Sequence, residues 1–303
     1  MKLNLRGIIP PMVTPLTENG EIDDKGLKRL IEHLIDGGVH GIFLLGTNGE
    51  GPSLSYELRR ELVYKACEII DKRVPVLVSI TDTVFDESVK MCRHSKQAGA
   101  DAVVIAPPYY FPISEDEMKD YLQHMVGELS LPFVLYNMPS CTKLHLSIDF
   151  VKFAKDLGAL GIKDSSGDLG YLHDLIFTFK DSSDFSVIAG TESFLSSTIL
   201  HGGQGAIAGG ANFFPKLFVD LYNASLNGDL LEIEQLNEKV DHIYETIYNV
   251  GRHSSRITKG TKCALSVLNI CDDYMALPLR RFDMRERNKI EEYIRQFQSS
   301  LTC

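Results

Sequence analysis

Lys163 closes an apolar run, 157–162, and is followed by the small polar residues Asp164, Ser165, Ser166 and Gly167. The run reads as a buried strand that delivers one amine to the lip of a sheet before a loop begins. An ammonium group is seldom buried without a partner. Lys163 therefore either pairs with a carboxylate, Asp164 being the nearest in sequence, or stands as an amine nucleophile. Tyr136 ends another apolar run, Phe133-Val134-Leu135, and precedes Asn137. It is either a core aromatic whose hydroxyl is satisfied by backbone, or a proton donor and acceptor beside an amine. Thr47 lies in the turn Gly46-Thr47-Asn48-Gly49-Glu50-Gly51. Exposed N–H groups in such a turn can hold a carboxylate, although a tight turn also needs glycine for its own sake. Glu192 follows Gly190-Thr191 at the head of a short helical pattern, where a carboxylate also suits the helix dipole.

These residues meet only if the apolar runs are strands of one sheet. Eight strand candidates alternate with helical patterns: 8–13, 41–45, 74–80, 102–106, 133–136, 157–162, 186–189 and 205–208. They are continuously apolar rather than alternating, as expected of a parallel sheet covered by helices. Between them, Asp23 stands where it would cap a helix with Leu27, Leu30, Ile31, Leu34 and Ile35 on one face. Ser114 and Glu117 have capping-box spacing. The remaining helical patterns lie near 55–70, 86–98, 147–156, 169–179 and 193–201. Eight units favour a closed (β/α)8 barrel over an open doubly wound sheet, and no nucleotide-type glycine turn follows Val13. After a last barrel helix at 214–226, the patterns at 229–250, 258–268 and 285–297 are helical, with no Pro/Ser-rich linker before them. The expected organisation is a barrel over 1–225 and a helical extension over 226–303 packed on it. In a barrel the C-terminal ends of the strands share one face. Thr47, Asn48, Tyr109, Tyr110, Tyr136, Lys163, Thr191, Glu192 and the glycines around Ile207 would then converge.

Composition narrows the chemistry. The 303 residues carry a formal net charge of −10, which argues against a nucleic-acid surface. No apolar run approaches the roughly 20 residues of a membrane span, and residues 1–6 lack a signal-peptide core, so a cytoplasmic protein is expected. The six cysteines (Cys67, Cys92, Cys141, Cys263, Cys271 and Cys303) form no CxxC pair and are expected to be reduced. With no HExxH among the nine histidines, a metal site is not expected. The glycines of 203–208 loosely match a dinucleotide fingerprint, but their order is helix, glycines, strand, which is the wrong context. The turn at 46–51 lacks the GK[ST] ending of a phosphate loop.

Taken together, the chain resembles the dihydrodipicolinate synthase / N-acetylneuraminate lyase family, the pyruvate-handling class I aldolase barrels. The resemblance runs through Gly7-Ile8, Thr14-Pro15, Gly46-Thr47-Asn48-Gly49-Glu50, Pro108-Tyr109-Tyr110, Tyr136-Asn137-Met138-Pro139, Gly161-Ile162-Lys163-Asp164 and Gly205-Ala206-Ile207. It implies that Lys163 is the lysine that forms a Schiff base with a 2-keto acid, without any cofactor, and that Tyr136 is the general acid and base. It implies that Thr47 links Tyr136 to Tyr110, with Tyr110 entering the site of a neighbouring subunit in a homodimer or homotetramer. The N–H groups of Thr47 and Asn48 would hold the substrate carboxylate, and Gly190, Glu192 and Ile207 would line the rest of the site. An iminium acts as an electron sink, so that the adjacent carbon loses a proton or an aldol bond breaks.

Departures from the family pattern bear on the substrate. Asn48 stands where synthases and sialic-acid lyases usually carry a second hydroxyl residue. Cys141 stands where synthases usually carry an arginine for the carboxylate of aspartate semialdehyde, a bidentate contact that cysteine cannot make. Cys141 then reads as a small pocket-lining residue. Asp164 after the lysine fits the sialic-acid lyases poorly. The expected activity is a Schiff-base aldolase, or a dehydratase using the same iminium, acting on a 2-keto-3-deoxy sugar acid or related 2-keto acid, with pyruvate as product or co-substrate. The alternative enzyme is 4-hydroxy-tetrahydrodipicolinate synthase. A non-catalytic keto-acid sensor is disfavoured because Lys163, Tyr136, Thr47 and Tyr110 are all present.

Overall fold

The structure, a computed structural model, describes Leu3 and residues 5–301; Cys303 lies outside the described residues. In chain order come β1 (Gly7–Ile8), α1 (Asp24–Asp36), β2 (Ile42–Leu44), α2 (Tyr56–Ile70), β3 (Val76–Ser79), α3 (Phe85–Ala98), β4 (Ala102–Ile105) and α4 (Glu115–Glu128). Then follow β5 (Phe133–Asn137), a short α5 (Pro139–Thr142), α6 (Ile148–Asp156), β6 (Gly161–Asp164), α7 (Leu169–Phe179), β7 (Ser186–Ala189), α8 (Leu195–Leu200), β8 (Gly205–Ala206) and α9 (Pro215–Asn227). Three further helices follow: α10 (Leu230–Glu245), α11 (Arg256–Val267) and α12 (Met284–Leu301).

The eight strands form one parallel sheet in the order β1-β8-β7-β6-β5-β4-β3-β2. It closes between β2 and the extended chain after β1. There Met12 N–H donates to the Phe43 carbonyl and Phe43 N–H to the Pro10 carbonyl, both at 2.9 Å, around a Pro11–Phe43 bridge. This is the expected (β/α)8 barrel with a C-terminal helical region. β1 is shorter than the expected 8–13 because Pro10 and Pro11 have no N–H to add to a ladder.

Strand parity sorts the side chains into two layers. Ile9, Phe43, Leu77, Ala102, Val104, Val134, Tyr136, Ile188 and Ile207 pack together as one buried cluster, the filling of the barrel. Their strand neighbours Ile42, Leu44, Val76, Val78, Val103, Ile105, Leu135, Ile162, Val187 and Ala189 pack in a second cluster with the buried faces of the helices. Both faces are therefore covered, which is why the runs are continuously apolar.

Ser55, Ser147 and Asp168 accept N–H groups of the first turns of α2, α6 and α7, and Ser114 with Glu117 forms the expected capping box on α4. Asp23 occupies the N-cap position of α1 but its side chain accepts no capping bond. Its carboxylate lies over Gly26 instead, where a Cβ would come within 2.2 Å of Asp23 Oδ2. The expected helix 229–250 breaks at Thr246 (φ −111°, ψ −86°), after which Ile247 and Tyr248 are buried in a 3-10 turn. Among the described residues no helix is long and apolar enough to cross a membrane.

Candidate active site at the barrel mouth

β5 and β6 pair so that Tyr136 lies opposite Lys163, and Lys163 lies opposite Ile188 of β7. Lys163 is buried, with Nζ 4.2 Å from the ring centroid of Tyr136 and 5.2 Å from that of Phe43. Among the described residues it makes no ion pair; its ammonium lies against two aromatic faces, and its charge also acts on the Glu192 carboxyl. Asp164 belongs to the opposite face of β6. It accepts hydrogen bonds from Asn137 Nδ2 at 2.7 Å, Ser166 Oγ at 2.8 Å and Ser166 N at 3.3 Å. Burial raises its carboxyl above the ordinary value, and these donors oppose the rise. Of the two readings of Lys163, pairing with Asp164 has no support in this geometry.

The stem of Lys163 is hemmed in by Gly190. A Cβ there would come within 3.0 Å of Lys163 Cε, 2.8 Å of the Asp164 carbonyl oxygen and 1.9 Å of Ser165 Oγ. Only glycine fits, and its N–H donates to Asp164 O at 2.6 Å. Ile207 is 1% exposed and belongs to the same interior cluster as Tyr136 and Phe43. Tyr136 is buried, yet its hydroxyl has no hydrogen-bond partner among the described residues, backbone included. The phenol is thus left free for a ligand or water.

The turn at 46–51 stands on the same aromatic wall: a Cβ on Gly46 would meet Phe43 Cε1 at 2.7 Å. Leu45 and Glu50 are left-handed (φ 60° and 55°), and Glu50 N–H donates to Thr47 O at 3.1 Å. The backbone N–H groups of Thr47 and Asn48 have no acceptor among the described residues. Two adjacent unpaired donors make an anion-binding concavity. The Thr47 side chain is exposed and bonds neither Tyr136 nor Tyr110 within the chain. Tyr110 itself is 69% exposed beside the equally exposed Phe111, and its carbonyl accepts from Lys143 Nζ at 2.8 Å.

Glu192 is the buried carboxyl of the site. Its Oε2 accepts from Gly210 N–H at 2.7 Å. Burial pushes it up to about 7, against the pull of the Gly210 and Gly209 N–H groups, the Tyr248 hydroxyl and the Lys163 charge. Glu192 Oε1 and Tyr248 Oη are both buried and, although they interact, neither has a hydrogen bond of good geometry. Gly209 makes room for the group: a Cβ there would lie 2.7 Å from Asn48 Nδ2 and 2.9 Å from Tyr248 Oη. Asn48, half-buried, accepts from Thr258 Oγ1 at 3.4 Å. Gly209 is one of the expected glycines around Ile207, whereas Phe43, Tyr248 and Thr258 were not among the expected site residues. Phe43 has a signal, its inward parity on β2, whereas Tyr248 and Thr258 reach the site from far along the chain and have none.

Cys141 is exposed on α5, the four-residue helix that follows β5. It is not in the barrel filling. Burial pushes the thiols of Cys67 up to about 11 and of Cys263 and Cys271 up to about 12, which disfavours their thiolates.

A family model, the Dihydrodipicolinate synthetase family, matches residues 4–297. The chain belongs to that family. It is 37% identical over 237 residues to the probable 2-dehydro-3-deoxy-D-pentonate aldolase YjhH of Escherichia coli K12, covering 77% of this chain and 79% of that one. Two solved structures of the family superpose on nearly the whole chain. Dihydrodipicolinate synthase from Bacteroides thetaiotaomicron matches with a TM-score of 0.94 and 47% identity, over 98% of this chain and 100% of the other. YagE from E. coli K12, a prophage protein of the dihydrodipicolinic acid synthase family solved in complex with pyruvate, matches with a TM-score of 0.92 and 30% identity, over 98% and 99%. Relatives of this dihydrodipicolinate synthetase family member thus carry both aldolase and synthase names.

Proposed function

We propose that this family member is a Schiff-base lyase of the aldolase type, or a dehydratase using the same iminium, that acts on a 2-keto-3-deoxy sugar acid or related 2-keto acid. Lys163 Nζ adds to the keto carbon, and loss of water from the carbinolamine leaves an iminium. In a lyase the C4 hydroxyl gives up its proton, the C3–C4 bond breaks and its electrons pass into the iminium, releasing an aldehyde and leaving the enamine of pyruvate; protonation at C3 and hydrolysis then return pyruvate and the free amine. In a dehydratase the C3 proton is lost instead, the resulting enamine of the whole substrate expels the C4 hydroxyl as water, and hydrolysis returns the dehydrated keto acid and the free amine. Tyr136, whose hydroxyl is free and whose ring adjoins Lys163, moves the protons. The unpaired N–H groups of Thr47 and Asn48 receive the carboxylate of the keto acid. No cofactor enters the scheme. Tyr110, exposed in the single chain, enters the site of a second copy in a dimer or tetramer. The barrel of 1–225 supplies the reacting residues, and the helical extension 226–303 supplies Tyr248 and Thr258.

One observation carries the substrate class. Beyond Lys163 the site presents a buried carboxyl and a buried phenol, Glu192 and Tyr248, each with an oxygen lacking a good hydrogen bond. Such a pair matches substrate hydroxyls, which both donate and accept, and does not match a second substrate carboxylate. Cys141 provides no cation for one either. The second reading, 4-hydroxy-tetrahydrodipicolinate synthase, is favoured by the 47% identity to the dihydrodipicolinate synthase of Bacteroides thetaiotaomicron. A coupled assay of pyruvate with aspartate semialdehyde, run beside a panel of 2-keto-3-deoxy acids, separates them. Turnover of a keto-deoxy acid with little condensation is expected; efficient condensation with no cleavage of any panel member would reverse the order.

A further inference from the structure

The turn that carries Thr47 and Asn48 is gripped by a helix more than 200 residues away in sequence. Glu50 ends the turn with its side chain fully buried, and its Oε1 lies 2.5 Å from Nζ of Lys262 on α11, also fully buried. Lys262 Nζ donates to Tyr274 O at 2.5 Å, and Glu50 Oε2 accepts from Ala276 N at 2.8 Å. One helical turn earlier on α11, Thr258 Oγ1 donates to Asn48 Oδ1 at 3.4 Å. Residues four apart on a helix share a face, so α11 lies along the turn and holds it at alternate residues, 48 and 50. From the other side Thr14 Oγ1 donates to Gly49 O at 2.6 Å.

A buried ion pair is a poor device for stability alone. Desolvating each charge is unfavourable, and apolar side chains of similar volume hold a fold as well or better. What the pair supplies is direction: Lys262 Nζ donates to Tyr274 O and meets Glu50 Oε1 as a charge contact without a hydrogen bond of good geometry, and few arrangements allow both. The turn needs that constraint, because Glu50 is left-handed and a non-glycine residue does not favour that conformation.

We propose that α11 is a positioning element for substrate binding: Lys262 on Glu50, with Thr258 on Asn48, holds residues 46–51 in the shape that offers the Thr47 and Asn48 N–H groups to the keto-acid carboxylate. This rests on the reading that Lys163 condenses with a keto acid. Lys262 and Thr258 touch no substrate. They act through the turn, so their loss shows as weaker binding of pyruvate rather than slower chemistry once it is bound.

The test uses the full chain and pyruvate, trapping the iminium with borohydride. The concentration of pyruvate giving half-maximal adduct is measured together with the trapping rate at saturation. In the paired variant Glu50→Gln/Lys262→Met, which strands no buried charge, half-saturation is expected to rise about tenfold, the size of one charge-assisted hydrogen bond lost. The saturated rate is expected to stay within about threefold, well inside the losses seen when a proton-transfer group is removed. Thr258→Val is expected to raise half-saturation by a smaller factor, and it decides the matter alone if the paired variant does not fold. A merely structural ion pair would change the melting temperature and leave half-saturation in place. Half-saturation unchanged in the folded variants would overturn the positioning role while the underlying reading stands. A wild-type chain that gives no adduct would overturn the underlying reading itself.

Discussion

Replacing Glu192 by Gln is expected to change how stability depends on pH, with a sign fixed by burial. The carboxyl is pushed from 4.5 up to about 7 because burial penalises its charge more than the neighbouring donors favour it. In the unfolded chain the same group ionises at its ordinary value. Between those two values the folded state holds a proton that the unfolded state has released, so stability falls as pH rises. Below about 4.5 both states are protonated and the group has no effect; above about 7 the loss is complete. Its full size is about 3 kcal/mol, at about 1.4 kcal/mol for each pH unit between the two values. The Glu192→Gln variant lacks this loss. Denaturant unfolding of both proteins at equal concentration, from about pH 4.5 to about pH 8, should show the variant gaining on wild type by about 3 kcal/mol across the range. Asp164 and other groups titrate in both proteins and cancel in the comparison. A stability difference that stays constant with pH would refute the assignment of Glu192 as a carboxyl raised by burial.

Three further substitutions probe the rest of the site. Gly190→Ala drives a methyl group into Ser165 Oγ and the Lys163 stem. It should destabilise the fold by about 1–3 kcal/mol, the scale of overpacking, and slow borohydride trapping, while an unaltered melting temperature and trapping rate would contradict the geometry. Tyr136→Phe should slow cleavage by roughly 100-fold with the fold intact, as expected for loss of a general acid and base, and a loss below about threefold would remove Tyr136 from that role. Cys141→Arg should improve condensation with aspartate semialdehyde by about tenfold, through a charge-assisted contact to its carboxylate. No improvement would remove Cys141 as the reason for discrimination.

The barrel was legible because each strand is buried on both faces and each helix on one, so burial alone wrote a period into the chain. One segment outside the strands has the composition of a strand. Residues 157–160 are apolar because they leave α6 through Gly158, in a left-handed conformation (φ 98°), and pack under the sheet; β6 itself begins at Gly161 and runs through Lys163 and Asp164. Parity within that strand, rather than composition, separates the two charged residues, sending Asp164 to Asn137 and Ser166. α5 leaves no signal in the sequence because four residues beginning with proline carry no period. The surroundings of the site were harder to read. Thr258 to Asn48 and Lys262 to Glu50 are contacts between residues about 210 apart, and nothing local in either segment announces the other. Tyr248 is buried against Glu192 only because α10 breaks at Thr246, which the amphipathic pattern does not show.

Whether Lys163 is an amine nucleophile toward a 2-keto acid is read directly by trapping. The protein is incubated with pyruvate, reduced with borohydride, digested and mapped by mass spectrometry, with Lys163→Ala beside it. One reduced pyruvate adduct is expected, on the peptide containing Lys163, and none in the variant. An unmodified Lys163 in folded wild-type protein at saturating pyruvate, or an adduct that persists in the variant, would contradict that role.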